Sequence, residues 1–223
     1  MVTLDDYNDD SVAACKSVLV EAFTVLGRHR GHLVLVGGWV PPLLMPGAGH
    51  IGSIDVDLAI DSRQIPPHLY ETIGNDLRRA GYRPTDLPNR FEREVRIGGR
   101  AFTVRLDLIT GEYGHPPEGG THAIIQGIPV WRSRGVDVAL DHSLEMVVAG
   151  TLPEGGANEV RVRVAVISAF LVMMGFALDD RKKEKDAYDI YFCLANYPGG
   201  IDGLGKEFQP LMENGLVRES LGK

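Results

Sequence analysis

Two periodicities along the chain predict an α/β protein. Residues 33–36 form a short all-apolar run that stops at two glycines, which predicts a buried strand running into a tight turn. Residues 55–60 and 103–109 alternate polar and apolar side chains, as strands with one polar face do. Residues 11–30 and 66–80 have apolar positions at helical spacing instead, which predicts amphipathic helices.

The rest of the chain predicts further strands and then helices. Residues 91–97 and 101–109 predict two strands joined by a glycine turn, as in a hairpin. Residues 123–141 contain two strand-like pieces around Pro129 and Gly135, and residues 143–146 resemble a helix start or an edge element.

A change in pattern near residue 152 predicts the domain organisation. The segment 152–158, with Pro153 and Gly155-Gly156, is the best candidate for a connecting loop, and an apolar helix follows at 167–178. We therefore predict a mixed sheet flanked by helices in residues 1–152, and a mainly helical region in residues 153–223.

Composition narrows the class of protein. The 223 residues are 44% hydrophobic, enough for a proper core, and no run of about twenty apolar residues predicts a membrane span. The acidic start lacks the pattern of a secretion signal, so we predict a cytoplasmic protein. Cys15 and Cys193 lie in predicted helices among apolar neighbours, as reduced packing residues do. The net charge of −7 lacks the basic balance of a general nucleic-acid coat, although local basic patches leave a polynucleotide acceptor open.

The aspartates of the predicted strand 55–60 are the first candidates for chemistry. Asp55 and Asp57 share one strand face, where their charges repel unless a cation lies between them. Mg²⁺ prefers carboxylate oxygens together with substrate phosphates, so it suits such a pair. An Asp-x-Asp pair by itself is also found in turns, helix caps and solvated strand faces. The Gly37-Gly38 turn before it favours a metal–phosphate site, because glycine lets a backbone approach a bulky anion.

These residues resemble the signature of the nucleotidyltransferase superfamily, a Gly-Gly or Gly-Ser turn followed by an Asp-apolar-Asp strand and a third carboxylate on a neighbouring strand. The resemblance implies a nucleotidyltransferase-like fold. It also implies that a nucleoside monophosphate is moved from an NTP to an acceptor hydroxyl. Asp55, Asp57 and Asp107 would hold Mg²⁺ or Mn²⁺ and carry the catalysis. Gly37-Gly38 and Ser53 would cradle the phosphates.

A second motif lies at residues 181–191, Arg-Lys-Lys-Glu-Lys-Asp-Ala-Tyr-Asp-Ile-Tyr. On a helix, Lys182 and Asp186, and likewise Lys185 and Asp189, have the spacing of surface ion pairs. A solvated charged face at the start of a helix is one interpretation. The other is that the basic residues meet a triphosphate while the aspartates hold and orient them.

This motif narrows the resemblance. With the preceding Ala177-Leu178, it resembles the C-terminal signature of AbiEii/AbiGii-type nucleotidyltransferases, which are toxins of type IV toxin–antitoxin and phage-abortive-infection systems. The resemblance implies an RNA acceptor such as tRNA, or a protein acceptor, and a possible cognate antitoxin. It also implies nucleotide contacts by Lys182, Lys185 and Asp189. Related chains tend to carry a lysine where Met174 stands, and methionine supplies neither charge nor donor. Either a nearby lysine substitutes, or nucleotide binding is poor, or activity is lost.

Two alternatives stay open. Gly37-Gly38-Trp39 is also similar to lincosamide and aminoglycoside nucleotidyltransferases, which modify small molecules. A catalytically weakened nucleotide-binding or interaction module would keep the same fold. Rossmann, P-loop and nucleophile-elbow motifs are absent from the sequence. The seven histidines show no metal-ligand spacing, and we assign them none of the chemistry.

Overall fold

The computed structural model describes residues 6–61, 63, 67–112, 122–125 and 128–223. The strands are β1 (Leu33–Val36), β2 (Asp55–Ile60), β3 (Arg83–Pro84), β4 (Arg90–Ile97), β5 (Arg100–Thr110), β6 (His122–Ile125), β7 (Ile128–Arg132), β8 (Ser143–Thr151) and β9 (Ala157–Ala165). The α-helices are α1 (Asp9–Val25), α2 (Val40–Leu44), α3 (Pro67–Arg79), α4 (Val136–Asp141), α5 (Ile167–Arg181), α6 (Glu184–Asn196), α7 (Gly200–Phe208) and α8 (Gly215–Leu221). Short 3₁₀ helices span Gly27–His32, Gly37–Trp39 and Gln209–Leu211.

The strands of the described residues form one mixed sheet in the order β3-β4-β5-β2-β1-β9-β8, with β7 beside the end of β5 and β6 beside β7. β1 runs antiparallel to β2 and parallel to β9, whereas β2 runs parallel to β5. β4 and β5 form the predicted hairpin, and Ile97 pairs with Arg100 across its two-glycine turn. The predicted fold class, a mixed sheet flanked by helices with a helical C-terminal part, is confirmed.

The long helix α1 covers one face of the sheet. It packs against β2, β4, β5, β8 and β9, and its buried side chains join the apolar core. Alternate residues of β4 and β5, such as Val95 and Val104, are buried, while Glu94 and Arg105 on the other face are exposed. Part of the sheet face opposite α1 is therefore open to solvent, and this is the face of the predicted aspartates.

The C-terminal helices pack on one another and reach the sheet through shorter helices. α5 contacts α4, α6, α7 and α8, and α2 contacts both α5 and α6. Nine of the fifteen α5 residues are buried, in agreement with its apolar sequence. Cys15 in α1 and Cys193 in α6 are buried free thiols, as predicted.

One local prediction was wrong, because the piece after Gly135 is the helix α4 rather than a strand. Residues 143–146 begin β8, an edge strand, which is one of the two predicted alternatives. The segment 152–156 forms the turn of the β8–β9 hairpin, and β9 joins the main sheet beside β1. The continuous helical part therefore begins at Ile167. The division into two domains at 152/153 stays a prediction.

Candidate active site

The two glycines after β1 touch the rest of the site so closely that no side chain fits. Gly37 has φ +70°, and a Cβ there would overlap Oδ2 of Asp57 and lie 2.9 Å from its Cγ. A Cβ on Gly38 would lie 2.8 Å from Oγ of Ser53. The turn is fastened to α1 by Trp39, whose indole Nε1–H donates to Sγ of Cys15 at 3.1 Å. Glycine is needed here because the backbone runs against the aspartate strand.

Strand register brings the three predicted carboxylates to one place. Asp57 pairs with Val36, the last residue before the glycine turn, on one side and with Asp107 on the other. Directly paired residues of neighbouring strands project from the same face of a sheet. Asp55, two residues before Asp57, shares that face, and its Oδ1 accepts a 2.8 Å hydrogen bond from Oγ of Ser53.

The crowding of these carboxylates changes the acidity of the central one. Desolvation raises the pKa of Asp57 well above its usual range, and the negative charges of Asp55 and Asp107 raise it further. The positive charges of Arg181 and Arg90 lower it in part. An ionised Asp57 is therefore unfavourable without a nearby cation.

Arg90 is a site residue that the sequence analysis missed. Its Nε and Nη2 donate to the two carboxylate oxygens of Asp107, each at 2.7 Å. The side chains are 27% and 12% exposed, so this bidentate pair is shielded from bulk water. A signal existed in the sequence, because the two-residue turn between β4 and β5 fixes a register that places Arg90 opposite Asp107.

The second motif lies at the start of α6 and faces the glycine turn. Nζ of Lys185 donates to Oδ1 of Asp189 at 2.5 Å, which confirms the predicted pair. The same Nζ lies 3.6 Å from where a Cβ of Gly38 would be, so the ammonium group reaches the turn. Lys182 differs from the prediction: it caps α5 in a left-handed conformation and is exposed, and Arg181 pairs with Asp186 in its place.

Two aromatic residues also belong to this region. Tyr7, just before α1, has its ring 5.4 Å from Nζ of Lys185. Burial raises the pKa of Tyr7, and the charges of Asp55, Asp189 and Asp186 raise it further, so this tyrosine lies close to the acidic centre. Tyr188 has its ring 5.5 Å from the same ammonium. Tyr188 belongs to the second motif, whereas Tyr7 stands in no pattern that marks it in the sequence, since its contact joins distant segments.

Met174 lies in the core and not at the surface of a cleft. It is 6% exposed and belongs to the apolar cluster of α5. The ammonium group that reaches the glycine turn comes from Lys185 on α6.

No group of three or more histidine, cysteine, aspartate or glutamate side chains is arranged to hold a metal ion among the described residues. Of the three predicted carboxylates, Asp107 is the one held by Arg90. Among the helices of those same residues, none has the length and apolar character needed to cross a membrane.

Comparisons with known proteins do not identify a family or a function for the chain. No protein-family model and no curated protein sequence matches the chain. Among solved structures, the chain is similar to the solution structure of the antibiotic-resistance factor ANT(2″)-Ia, with a TM-score of 0.41 and 13% sequence identity. The match covers 89% of this chain and 92% of the other. So distant a likeness carries no functional conclusion, and the function must be argued from the site.

Proposed function

We propose that this protein is a nucleotidyltransferase that moves a nucleoside monophosphate from an NTP to an acceptor hydroxyl. The observation that carries the proposal is the contact between the glycine turn and the aspartate strand. Gly37 lies directly against Asp57, and Asp57 lies in register with Asp107. A phosphate chain bound along the turn would thus meet carboxylates on one side and Lys185 on the other.

The residues fit a divalent cation at Asp55 and Asp57. Burial raises the pKa of Asp57, and the charges of Asp55 and Asp107 raise it further, so a cation beside its carboxylate would be favourable. Mg²⁺ or Mn²⁺ favours such oxygens over nitrogen or sulfur ligands. Asp107 would join as a ligand only by leaving Arg90. The cation, when bound, would neutralise charge on the triphosphate and on the leaving pyrophosphate.

The chain's own groups would hold and orient the substrates. The backbone at Gly37-Gly38 and the hydroxyl of Ser53 would cradle phosphate oxygens, and Lys185 would balance their charge. The acceptor oxygen would attack the α-phosphorus, the bond to the pyrophosphate oxygen would break, and the acceptor proton would pass to a carboxylate. Asp107 lies beside Asp57 and is the candidate for that proton, which it would accept only after its pair with Arg90 opens.

The open sheet face carries both signs of charge, because Arg105 lies on it together with Glu92 and Glu94. Arg105 pairs with Asp55 across β2 and β5 and so projects from the same face. It is exposed, and no ion pair or hydrogen bond to a residue within the described ranges engages its guanidinium. A guanidinium beside the site can bind a phosphate of a polynucleotide backbone. We propose RNA such as tRNA as the acceptor, as for an AbiEii-like toxin with a cognate antitoxin in the cytoplasm.

The test offers acceptors of each class to the purified protein. Each of the four α-³²P-labelled NTPs is incubated with Mg²⁺ and, in turn, bulk tRNA, cell-lysate protein or aminoglycosides. We expect label on tRNA, and its loss in Asp55→Ala/Asp57→Ala but not in Asp202→Asn, an exposed control on α7. Label on aminoglycosides alone would support small-molecule modification. Nucleotide binding without transfer to any acceptor would leave a binding module as the function.

A further inference from the structure

His50 links the loop before β2 to the helix that carries the second motif. Its side chain is 1% exposed, and its ring packs against the rings of Tyr188 and Phe192, with centroids 5.3 and 4.7 Å away. The neighbouring Ile51 N–H donates to the hydroxyl of Tyr188 at 3.3 Å. The loop and α6 are therefore joined by several contacts with His50 at their centre.

The hydrogen bonds of His50 determine its tautomer. Nδ1 accepts from the backbone N–H of Gly52 at 3.0 Å, so this nitrogen carries no hydrogen. The hydrogen is on Nε2, which donates to Oδ1 of Asp189 at 2.9 Å. The ring uses both nitrogens, one toward the aspartate strand and one toward α6.

Asp189 connects His50 to Lys185. Its Oδ1 accepts from both His50 and Lys185, and its side chain is 3% exposed, so the carboxylate has little freedom to turn. At the other end, Gly52 precedes Ser53, whose hydroxyl donates to Asp55. The loop backbone is also held in place, because a Cβ on Gly52 would lie 2.6 Å from Val12 of α1.

We propose that His50 is a positioning residue for the nucleotide: it holds Asp189 so that Lys185 points its ammonium group at the Gly37-Gly38 turn. This inference rests on the proposed function, because it assumes that a triphosphate lies along that turn. His50 itself touches no substrate. Its effect is on the affinity for NTP and passes through Lys185.

Two substitutions separate the two hydrogen bonds of the ring. In His50→Asn, the amide oxygen can take the place of Nδ1 and still accept from Gly52, but the side chain is too short to reach Asp189. In His50→Gln, the amide nitrogen can take the place of Nε2 and donate to Asp189. We expect the dissociation constant for NTP to rise about tenfold in His50→Asn, equal to about 1.4 kcal/mol, and to stay within about threefold of wild type in His50→Gln.

The measurement is filter binding of each α-labelled NTP with Mg²⁺, together with thermal unfolding of every variant. His142→Asn is the matched control, since His142 is an exposed histidine between α4 and β8. A double-mutant cycle with Lys185→Met separates positioning from a structural role. We expect His50→Asn to have no further effect on affinity once Lys185 is replaced. If His50→Asn does not fold, Asp189→Asn takes its place in the cycle, because it weakens the hold on the same lysine.

The possible outcomes separate the positioning role of His50 from the proposed nucleotidyltransferase function. Equal NTP affinity in wild type and His50→Asn would overturn the role of His50 and leave the nucleotidyltransferase proposal intact. The role would also be overturned if His50→Asn lowered NTP affinity equally in the wild-type and Lys185→Met backgrounds, since the effect would then not pass through the lysine. Failure of the wild-type protein to bind any of the four NTPs would overturn both proposals.

Discussion

Replacing Asp57 with asparagine is expected to stabilise the protein in the absence of divalent cations. Most substitutions at half-buried positions are destabilising, so the sign of the effect is informative. Asparagine keeps the shape and the hydrogen-bonding capacity of the side chain and removes its charge. The reason for the gain is that burial raises the pKa of Asp57, and the charges of Asp55 and Asp107 on either side raise it further.

The register gives the size of the effect. Paired residues on neighbouring strands lie about 5 Å apart, and two unit charges at that distance repel by about 3 kcal/mol at an effective dielectric constant of about 20. Arg181 and Arg90 offset part of this repulsion. We therefore expect Asp57→Asn to raise the free energy of unfolding by about 1–2 kcal/mol at pH 8 in a chelator.

The gain should depend on pH with a definite sign. The pKa of Asp57 in the folded protein is above its ordinary value of 3.8, so the folded state holds this proton more tightly than the unfolded chain does. The resulting stabilisation is present at low pH and is lost as pH rises through the folded pKa. Wild type should therefore lose stability relative to Asp57→Asn from about pH 4 upward.

Urea unfolding between pH 5 and 8, with EDTA or with millimolar Mg²⁺, measures this difference. Mg²⁺ should stabilise wild type and have a much smaller effect on Asp57→Asn. Asp202→Asn is the control for the removal of an exposed carboxylate elsewhere. If Asp57→Asn in EDTA is no more stable than wild type at pH 8, the three carboxylates do not crowd one another, and the argument for a cation site is wrong.

Two further substitutions test the walls of the site. Gly37→Ala should lower the free energy of unfolding by about 2–4 kcal/mol, measured with urea, and abolish label transfer, because the new Cβ would overlap Asp57 and the backbone is left-handed. The control Gly47→Ala, at φ +81° with nothing within 4 Å of its Cβ, should lower it by only about 1–2 kcal/mol and keep activity. Arg90→Met should lower the free energy of unfolding in EDTA by about 1–3 kcal/mol, because it leaves Asp107 without its partner, and Mg²⁺ should restore part of that stability. The exposed control Arg79→Met should lower it by less than about 0.5 kcal/mol. An equal loss of stability in both arginine variants would contradict the pairing.

Local patterns were enough to predict the elements nearest the site. The glycine turn, the alternating strand of Asp55 and Asp57, and the β4–β5 hairpin were all predicted from the sequence, because each depends on contacts within a few residues. The spacing of Lys185 and Asp189 was likewise sufficient to predict their ion pair. Prediction failed at 136–141 and left two alternatives at 143–146, where short apolar runs suit a helix or a strand and only packing decides between them.

Contacts between distant segments were decided by the tertiary structure alone. His50 lies 139 residues from its partner Asp189, and no local period indicates that the two meet. The contact of Tyr7 with Lys185 is another example, because 178 residues separate the two in the sequence. A sequence can indicate which residues carry charge and which face of their own element they occupy. Which of those faces meet is determined by the packing of the whole core, because the free energy that brings them together comes from burial of apolar surface elsewhere in the chain.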